Sequence, residues 1–255
     1  MVDNESAPAS NNERLVAVVV PTYNEAENLP ELTRRLSDLE IPNLRLILID
    51  DNSPDGTAEV AKSLEAGFNG TIDVISRESK QGLGTAYIVG FTHALAQGAD
   101  VIVQMDADLS HLPEYIPGFL EELNNADVVV GSRYTEGGGV DETWSLKRRM
   151  LSYLANRGIR AVVGLKVRDV TSGFKGYRSE ALRRVNLSDF SCTGFAFQAE
   201  MAHACQRTGC RIVEHPIIFV DRTQGASKMS TYIIVEALWR LLPYRWKRYS
   251  QSPSS

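Results

Sequence analysis

Short apolar runs, each ending abruptly in a cluster of polar residues, constrain this chain more than any other feature. They are LVAVVV (residues 15–20), RLILID (45–50), IDVIS (72–76), VIVQMD (101–106) and DVVVGS (127–132). Each is brief, rich in β-branched residues and nearly uniformly apolar, so each reads as a strand buried on both faces. Between them the apolar spacing becomes helical, at about residues 28–39, 57–64, 84–96 and 113–124. Strands alternating with helices predict an α/β fold with a mostly parallel, Rossmann-like sheet flanked by helices. With 255 residues, 43% of them hydrophobic, one substantial core is available.

In such sheets ligands collect beyond the carboxyl ends of the strands, and the polar clusters stand there. The first run leads into Pro21-Thr22-Tyr23-Asn24-Glu25, and the second ends in Asp50-Asp51-Asn52-Ser53-Pro54-Asp55-Gly56. The fourth closes with Asp106-Ala107-Asp108 and the fifth with Gly131-Ser132-Arg133. Taken alone, the second cluster is equally good turn and helix-capping chemistry. Four polar ends on one rim exceed what turns require. On an extended segment, side chains two apart point the same way. Asp106 and Asp108 would then offer oxygens to one hard cation, Mg²⁺ or Mn²⁺, while small Ala107 leaves room for a diphosphate. His111 lacks other His or Cys at ligand spacing, which leaves it a structural or substrate-edge role.

Other functions are excluded by what is missing. A dinucleotide-dependent oxidoreductase needs G-x-G-x-x-G after the first strand, where Pro-Thr-Tyr-Asn-Glu stands instead. Nor does any G-x-x-x-x-G-K-[ST] string occur. The glycines of Lys80-Gln81-Gly82-Leu83-Gly84 follow the third strand and read as a flexible wall of a nucleotide pocket. A net charge of -5 argues against nucleic acid as a partner. Cys192, Cys205 and Cys210 form no C-x-x-C pair and read as free thiols of a reducing compartment.

Residues 1–13 read as a disordered polar lead without an export signal. No window approaches the roughly 18 apolar residues of a membrane span. Gly137-Gly138-Gly139 reads as a mobile stretch. After it, residues 146–162 set Leu146, Met150, Leu151 and Leu154 on one helical face, with Lys147, Arg148, Arg149 and Arg157 nearby. That helix either packs on the core or lies on a membrane. A second amphipathic stripe, Ile233, Ala237, Leu238, Leu241 and Leu242, is stopped by Pro243 and followed by Tyr244-Arg245-Trp246-Lys247-Arg248-Tyr249. Interleaved aromatic and cationic groups suit a membrane surface or a membrane-bound partner. The expected division is thus a lead (1–13), a catalytic body (14–229) and a basic amphipathic segment (230–255).

Taken together, V-P-T-Y-N-E, D-D-N-S-P-D-G-T, G-L-G-T-A, M-D-A-D-L-S-H, G-S-R-Y, T-S-G-F and F-V-D-R-T-Q-G-A-S-K resemble, in order and spacing, the dolichyl-phosphate mannose synthases of the family 2 glycosyltransferases. The likeness is greatest to the soluble eukaryotic-type catalytic subunit and spans residues 15–228. It implies a GT-A fold and a metal-dependent, inverting transfer of mannose from GDP-mannose to dolichyl or polyprenyl phosphate. It further implies a nucleotide-sugar site of Pro21, Tyr23, Asn24, Glu25, Asp50, Asp51, Gly82, Asp106, Ala107 and Asp108. Asp106, Asp108 and Ser110 would hold the metal, Ser110 standing where other members carry Gln. Asp108 would act in catalysis together with Arg133, Arg222 and Lys228, the three cations facing phosphate. The resemblance places the protein peripherally on the cytoplasmic face of a membrane, with or without a small membrane-anchor subunit. Elementary chemistry agrees with such a reaction. A lipid monophosphate has a second pKa of about 6 and is already an anionic nucleophile at neutral pH, so positioning and charge neutralisation replace a general base. Two alternatives share the motifs: a lipid-phosphate transferase using UDP-glucose or another donor, and a non-catalytic subunit of a membrane complex.

Overall fold

The computed structural model describes residues 14–190, 194 and 196–221. Strand β1 (Val16–Thr22) is followed by α1 (Leu29–Asp38), β2 (Leu44–Asp50), α2 (Thr57–Ser63) and β3 (Thr71–Ser76), which extend the sheet in one direction. Helix α3 (Leu83–Ala96) then carries the chain back to β4 (Val101–Gln104) on the opposite side of β1. That reversal opens a crevice at the carboxyl ends of β1 and β4.

The remaining elements are α4 (Ile116–Glu122), β5 (Val128–Ser132), β6 (Gly139–Val140), α5 (Leu146–Val163), β7 (Lys175–Arg178), α6 (Ser179–Arg184), α7 (Ala196–Arg207), β8 (Ile212–Pro216) and β9 (Ile218–Phe219). The main sheet runs β3-β2-β1-β4-β7-β5-β8, and β7 alone is antiparallel to its neighbours. Strands β6 and β9 form a separate parallel pair.

Alternation along β1 divides the core. Ala17 and Val19 face the layer of α3, α5, α6 and α7, whereas Val16, Val18 and Val20 pack with Leu29, Leu32 and Leu36 of α1 and with Ile116 and Phe119 of α4. A central strand with both faces covered has to be apolar at every position, which is what the LVAVVV run supplies.

Several expectations are corrected. β3 is an edge strand with Thr71 and Ser76 exposed, so it is not buried on both faces. The fourth expected helix divides into a 3-10 turn (Pro113–Tyr115) and α4. β4 ends at Gln104, two residues before Asp106. The first two of the three glycines form a tight turn closed by the Gly138 amide on the Thr135 carbonyl, and the third, Gly139, opens β6. Gly137 has φ +83°, and a Cβ on Gly138 would lie 2.3 Å from the Ser132 carbonyl oxygen. The lead, the amphipathic segment 230–255 and Cys192 lie outside the described residues. Cys205 is buried and Cys210 half-buried, both as free thiols. Among the described residues no helix is long and apolar enough to cross a membrane.

Helix α3 lies unusually close to the sheet. A Cβ on Gly90 would sit 2.3 Å from Val19 Cγ1 and 2.8 Å from Ile49 Cδ1. Gly90→Ala would gain helix propensity of about 1 kcal/mol but force the helix off β1, at a cost of about 1–3 kcal/mol. We expect a net loss of stability in urea unfolding. An increase would show that α3 can lift without penalty.

Candidate active site

The loops after β1 and β2 are stitched together by side chains. Ser53 Oγ accepts the Asn24 amide at 3.1 Å, Thr57 Oγ1 accepts the Glu25 amide at 3.0 Å, and Asp55 Oδ2 accepts the Ala26 amide at 3.1 Å. Asn24 holds φ +60° within this lattice. Buried Asp50 ties both loops: its Oδ1 accepts Thr22 Oγ1 at 3.1 Å and Ser53 Oγ at 2.5 Å, and its Oδ2 accepts the Ser53 amide. The turn chemistry of this cluster is therefore present, and it shapes the floor of the crevice. Above that floor the Tyr23 ring is exposed, with Lys80 Nζ 3.7 Å from its centroid, an arrangement that suits a flat, electron-rich ligand edge.

Asp51 is also buried, and its carboxylate is paired with Arg77 just past the end of β3. Arg77 continues to Thr85 Oγ1 at 2.8 Å and to the Gly82 carbonyl at 3.3 Å. One guanidinium thus links the second strand end to the start of α3, and Gly82, at φ +101°, is fixed there by its carbonyl. Arg77 was not singled out in the sequence, although the strand-end rule that found Asp51 also reaches it.

Beyond β4 the chain bends. Residues 107–111 form the bend, with Leu109 at φ +60°, so Asp106 and Asp108 stand past the strand end and not within β4. The Asp106 carboxylate is 26% exposed and accepts the Tyr87 hydroxyl at 3.2 Å. Asp108 Oδ1 accepts the Ser110 amide at 3.1 Å and the Ser110 hydroxyl at 2.5 Å. His111 Nδ1 accepts the Asp106 amide at 3.1 Å. Burial holds this imidazole below its usual pKa despite the nearby aspartates. A neutral ring that accepts at Nδ1 carries its proton on Nε2, so neither nitrogen has a lone pair to offer a cation.

Arg133 follows β5 and is nearly buried. Its Nε and Nη2 donate to the two Asp169 carboxylate oxygens at 2.7 and 2.8 Å, and Nη2 also donates to Thr171 Oγ1 at 2.8 Å. Asn156 of α5 donates to Asp169 Oδ1 and Thr171 Oγ1, both at 2.9 Å. Burial opposes the Arg133 charge, but Asp169 outweighs it and raises the arginine pKa. Burial likewise pushes Asp169 up, and Arg133 brings it below the usual carboxylate range. With Nε and both Nη2 hydrogens committed, Arg133 keeps Nη1 for a ligand. Asp169 and Asn156 carried no local sequence signal, since their partner lies far along the chain, and Thr171 entered only within the T-S-G-F string. Asp169→Ala should cost about 3–5 kcal/mol by leaving a buried guanidinium unpaired. Urea unfolding checks this, and a loss under about 1 kcal/mol would show that water replaces the partner.

Beneath the crevice lies a polar network in the sheet itself. Lys175 Nζ donates to the Gln198 backbone carbonyl at 2.9 Å and to Gln198 Oε1 at 2.8 Å. Gln104 Nε2 donates to the same Oε1, and Tyr177 to Gln104 Oε1. Burial pushes the Lys175 ammonium from its ordinary 10.5 down to about 7, although Cys205 and Asp169 pull the other way. Between those values the unfolded chain binds one more proton than the native one, so this group makes stability rise with pH. Lys175→Met should flatten the rise in unfolding free energy between pH 7 and pH 10. An unchanged slope would mean that Lys175 keeps its proton in the fold.

The structure therefore brings Tyr23, Asn24, Glu25, Asp50, Asp51, Gly82, Asp106, Ala107, Asp108, Ser110 and Arg133 to neighbouring strand ends, with Pro21 inside β1. Arg222 and Lys228 lie outside the described residues.

Residues 17–185 match the family described as glycosyl transferase family 2. The chain is 42% identical over 236 residues to undecaprenyl-phosphate mannosyltransferase of Micrococcus luteus, covering 91% of this chain and 96% of that protein. It is 40% identical over 225 residues to polyprenol monophosphomannose synthase of Mycolicibacterium smegmatis, covering 88% and 84%. Among solved structures it is similar to glucosyl-3-phosphoglycerate synthase from Mycobacterium tuberculosis in complex with Mn²⁺, UDP-glucose and phosphoglyceric acid, with TM-score 0.66, 19% identity, and coverage of 91% and 80%. A mannosyltransferase from Pyrobaculum calidifontis in complex with GDP-mannose and Mn²⁺ gives TM-score 0.60 and 18% identity, covering 88% and 61%. At such identities the structural likeness speaks for the fold, which is the expected GT-A arrangement.

Proposed function

We propose, from the premise that this chain belongs to glycosyl transferase family 2, that it transfers mannose from GDP-mannose to a polyprenyl phosphate, inverting the anomeric carbon. The observation that carries this reading is the 42% identity across 96% of a relative named for mannosyl transfer to undecaprenyl phosphate. The strand-end site supports it with acids for the donor side and a held cation for phosphate.

Asp106 and Asp108 are the residues that would hold Mg²⁺ or Mn²⁺, with the Ser110 hydroxyl beside them. The donor set fits a hard cation, since it offers carboxylate and hydroxyl oxygens while His111 Nδ1 is taken by the Asp106 amide. Space fits as well: Gly173 faces Asp106, and a Cβ there would lie 3.5 Å from both Asp106 oxygens and 3.1 Å from His111 Cε1. Among the described residues no cluster of three or more His, Cys, Asp or Glu is arranged for a metal, so a bound ion would need further oxygens, from diphosphate or water, beside those of Asp106, Asp108 and Ser110. When bound, such an ion would neutralise charge on the departing nucleoside diphosphate.

The chain's own residues do the rest. Tyr23 and Lys80 border the nucleotide, Asp51 and Arg77 set the Gly82 backbone along it, and Arg133 presents Nη1 toward phosphate. The acceptor phosphate supplies its own nucleophilic oxygen, and no side chain has to remove a proton. A lipid acceptor puts the protein peripherally on the cytoplasmic face of a membrane.

The test is a donor-by-acceptor assay of the full chain with Mg²⁺ or Mn²⁺, using GDP-mannose and UDP-glucose against long and short polyprenyl phosphates. Mannolipid from GDP-mannose is expected; turnover of UDP-glucose alone would overturn the donor. Asp108→Asn preserves the acceptors for Ser110 but removes the charge, and should slow transfer about a thousandfold, equivalent to about 4 kcal/mol. A rate within about threefold of wild type at an unchanged melting temperature would refute the metal assignment.

A further inference from the structure

Helix α5 has two faces that want to leave water. One is buried, made by Ser152, Ala155, Asn156, Ile159 and Val163. The other carries Leu146, Met150, Tyr153 and Leu154, which are 76%, 55%, 48% and 55% exposed. At 3.6 residues per turn this second stripe centres on the side opposite the buried one. A helix lying on a soluble core needs a single apolar stripe. Six large hydrophobic residues are exposed among the described residues, and four of them are on this helix, so the exposure is concentrated and not scattered.

Charge indicates what covers the stripe. α5 contains Lys147, Arg148, Arg149, Arg157 and Arg160 and no acidic residue, in a chain whose net charge is -5. Arg148 is held by Asp221 at 2.7 Å. Lys147 and Arg149 flank the stripe on opposite sides, and Arg157 continues it by one turn, all three exposed. Apolar side chains bordered by cations, with a tyrosine among them, match a bilayer interface bearing anionic headgroups.

We propose that this face of α5 docks on an anionic lipid surface and sets the height of the active site above it. The proposal rests on the lipid-phosphate acceptor inferred above. On its inner side the same helix holds Asn156 against Asp169 and Thr171, the partners of Arg133, and Ser152 Oγ 2.8 Å from the Tyr134 hydroxyl. Seating α5 at headgroup level therefore seats Arg133 relative to a phosphate that emerges from the bilayer.

The experiment is flotation of the full chain with vesicles of phosphatidylcholine alone or mixed with phosphatidylglycerol, alongside transfer assays. In the triple variant Leu146→Gln, Met150→Gln, Leu154→Gln the altered side chains are exposed, so the melting temperature should hold. Binding to mixed vesicles should fall at least about tenfold. Transfer to a long polyprenyl phosphate in vesicles should fall with it, while transfer to a short soluble prenyl phosphate stays unchanged. K147E with R157E should weaken binding to mixed vesicles and leave that to phosphatidylcholine as it was. Wild-type flotation by the triple variant overturns the surface, as does sedimentation showing that it merely dissociates a dimer. Wild-type flotation without any mannosyl transfer would instead overturn the function and leave the surface standing.

Discussion

Close contact between α3 and β1 is the constraint on which the rest of the site depends. Because Gly90 lets the helix backbone lie directly against Val19, the residues before it fall at fixed heights over the sheet. Tyr87, one turn earlier, reaches Asp106 beyond β4. Thr85 and Gly82, at the start of the helix, meet Arg77 and through it Asp51 beyond β2. A single rigid element thereby spans both halves of the crevice, and the crossover that makes the crevice also sets its width.

Buried charge is the second organising theme. The Arg133–Asp169 pair is taken out of water, a costly placement unless further hydrogen bonds support it, and Asn156, Thr171 and the Arg133 amide supply them. Lys175 is compensated differently: it meets neutral carbonyl oxygens only, and its tendency to shed the proton follows. Two cations at similar depth thus have opposite proton affinities because one faces a carboxylate and the other does not.

The parallel half of the sheet was legible because strands buried on both faces must be written as apolar runs, and the polar residues that end them mark the rim. β7 was illegible for the converse reason. Its sequence, KGYR, is buried by pairing a lysine and a tyrosine with glutamines on other elements, a solution that hydropathy cannot register. Asp106 and Asp108 were found from their position at the end of a run, but the bend that follows was not foreseen, since the left-handed Leu109 has no glycine to announce it. The pairing of Arg133 with Asp169 was illegible because Asp169 lies 36 residues away. For α5 the amphipathic spacing was clear while the choice of face was not, because both of its sides carry apolar residues.

The place of β7 also bears on how the molecule assembles. β4 and β5 share no ladder of their own; each bonds to β7, whose residues come some seventy positions after β4 pairs with β1. The segment through β4 contains both partners of every parallel ladder it makes, whereas both ladders of β5 close onto strands that come later, β7 and β8. The strand that fills the middle of the sheet is thus the one carrying the buried lysine, and the oxygens that receive its ammonium come later still, on Gln198 of α7.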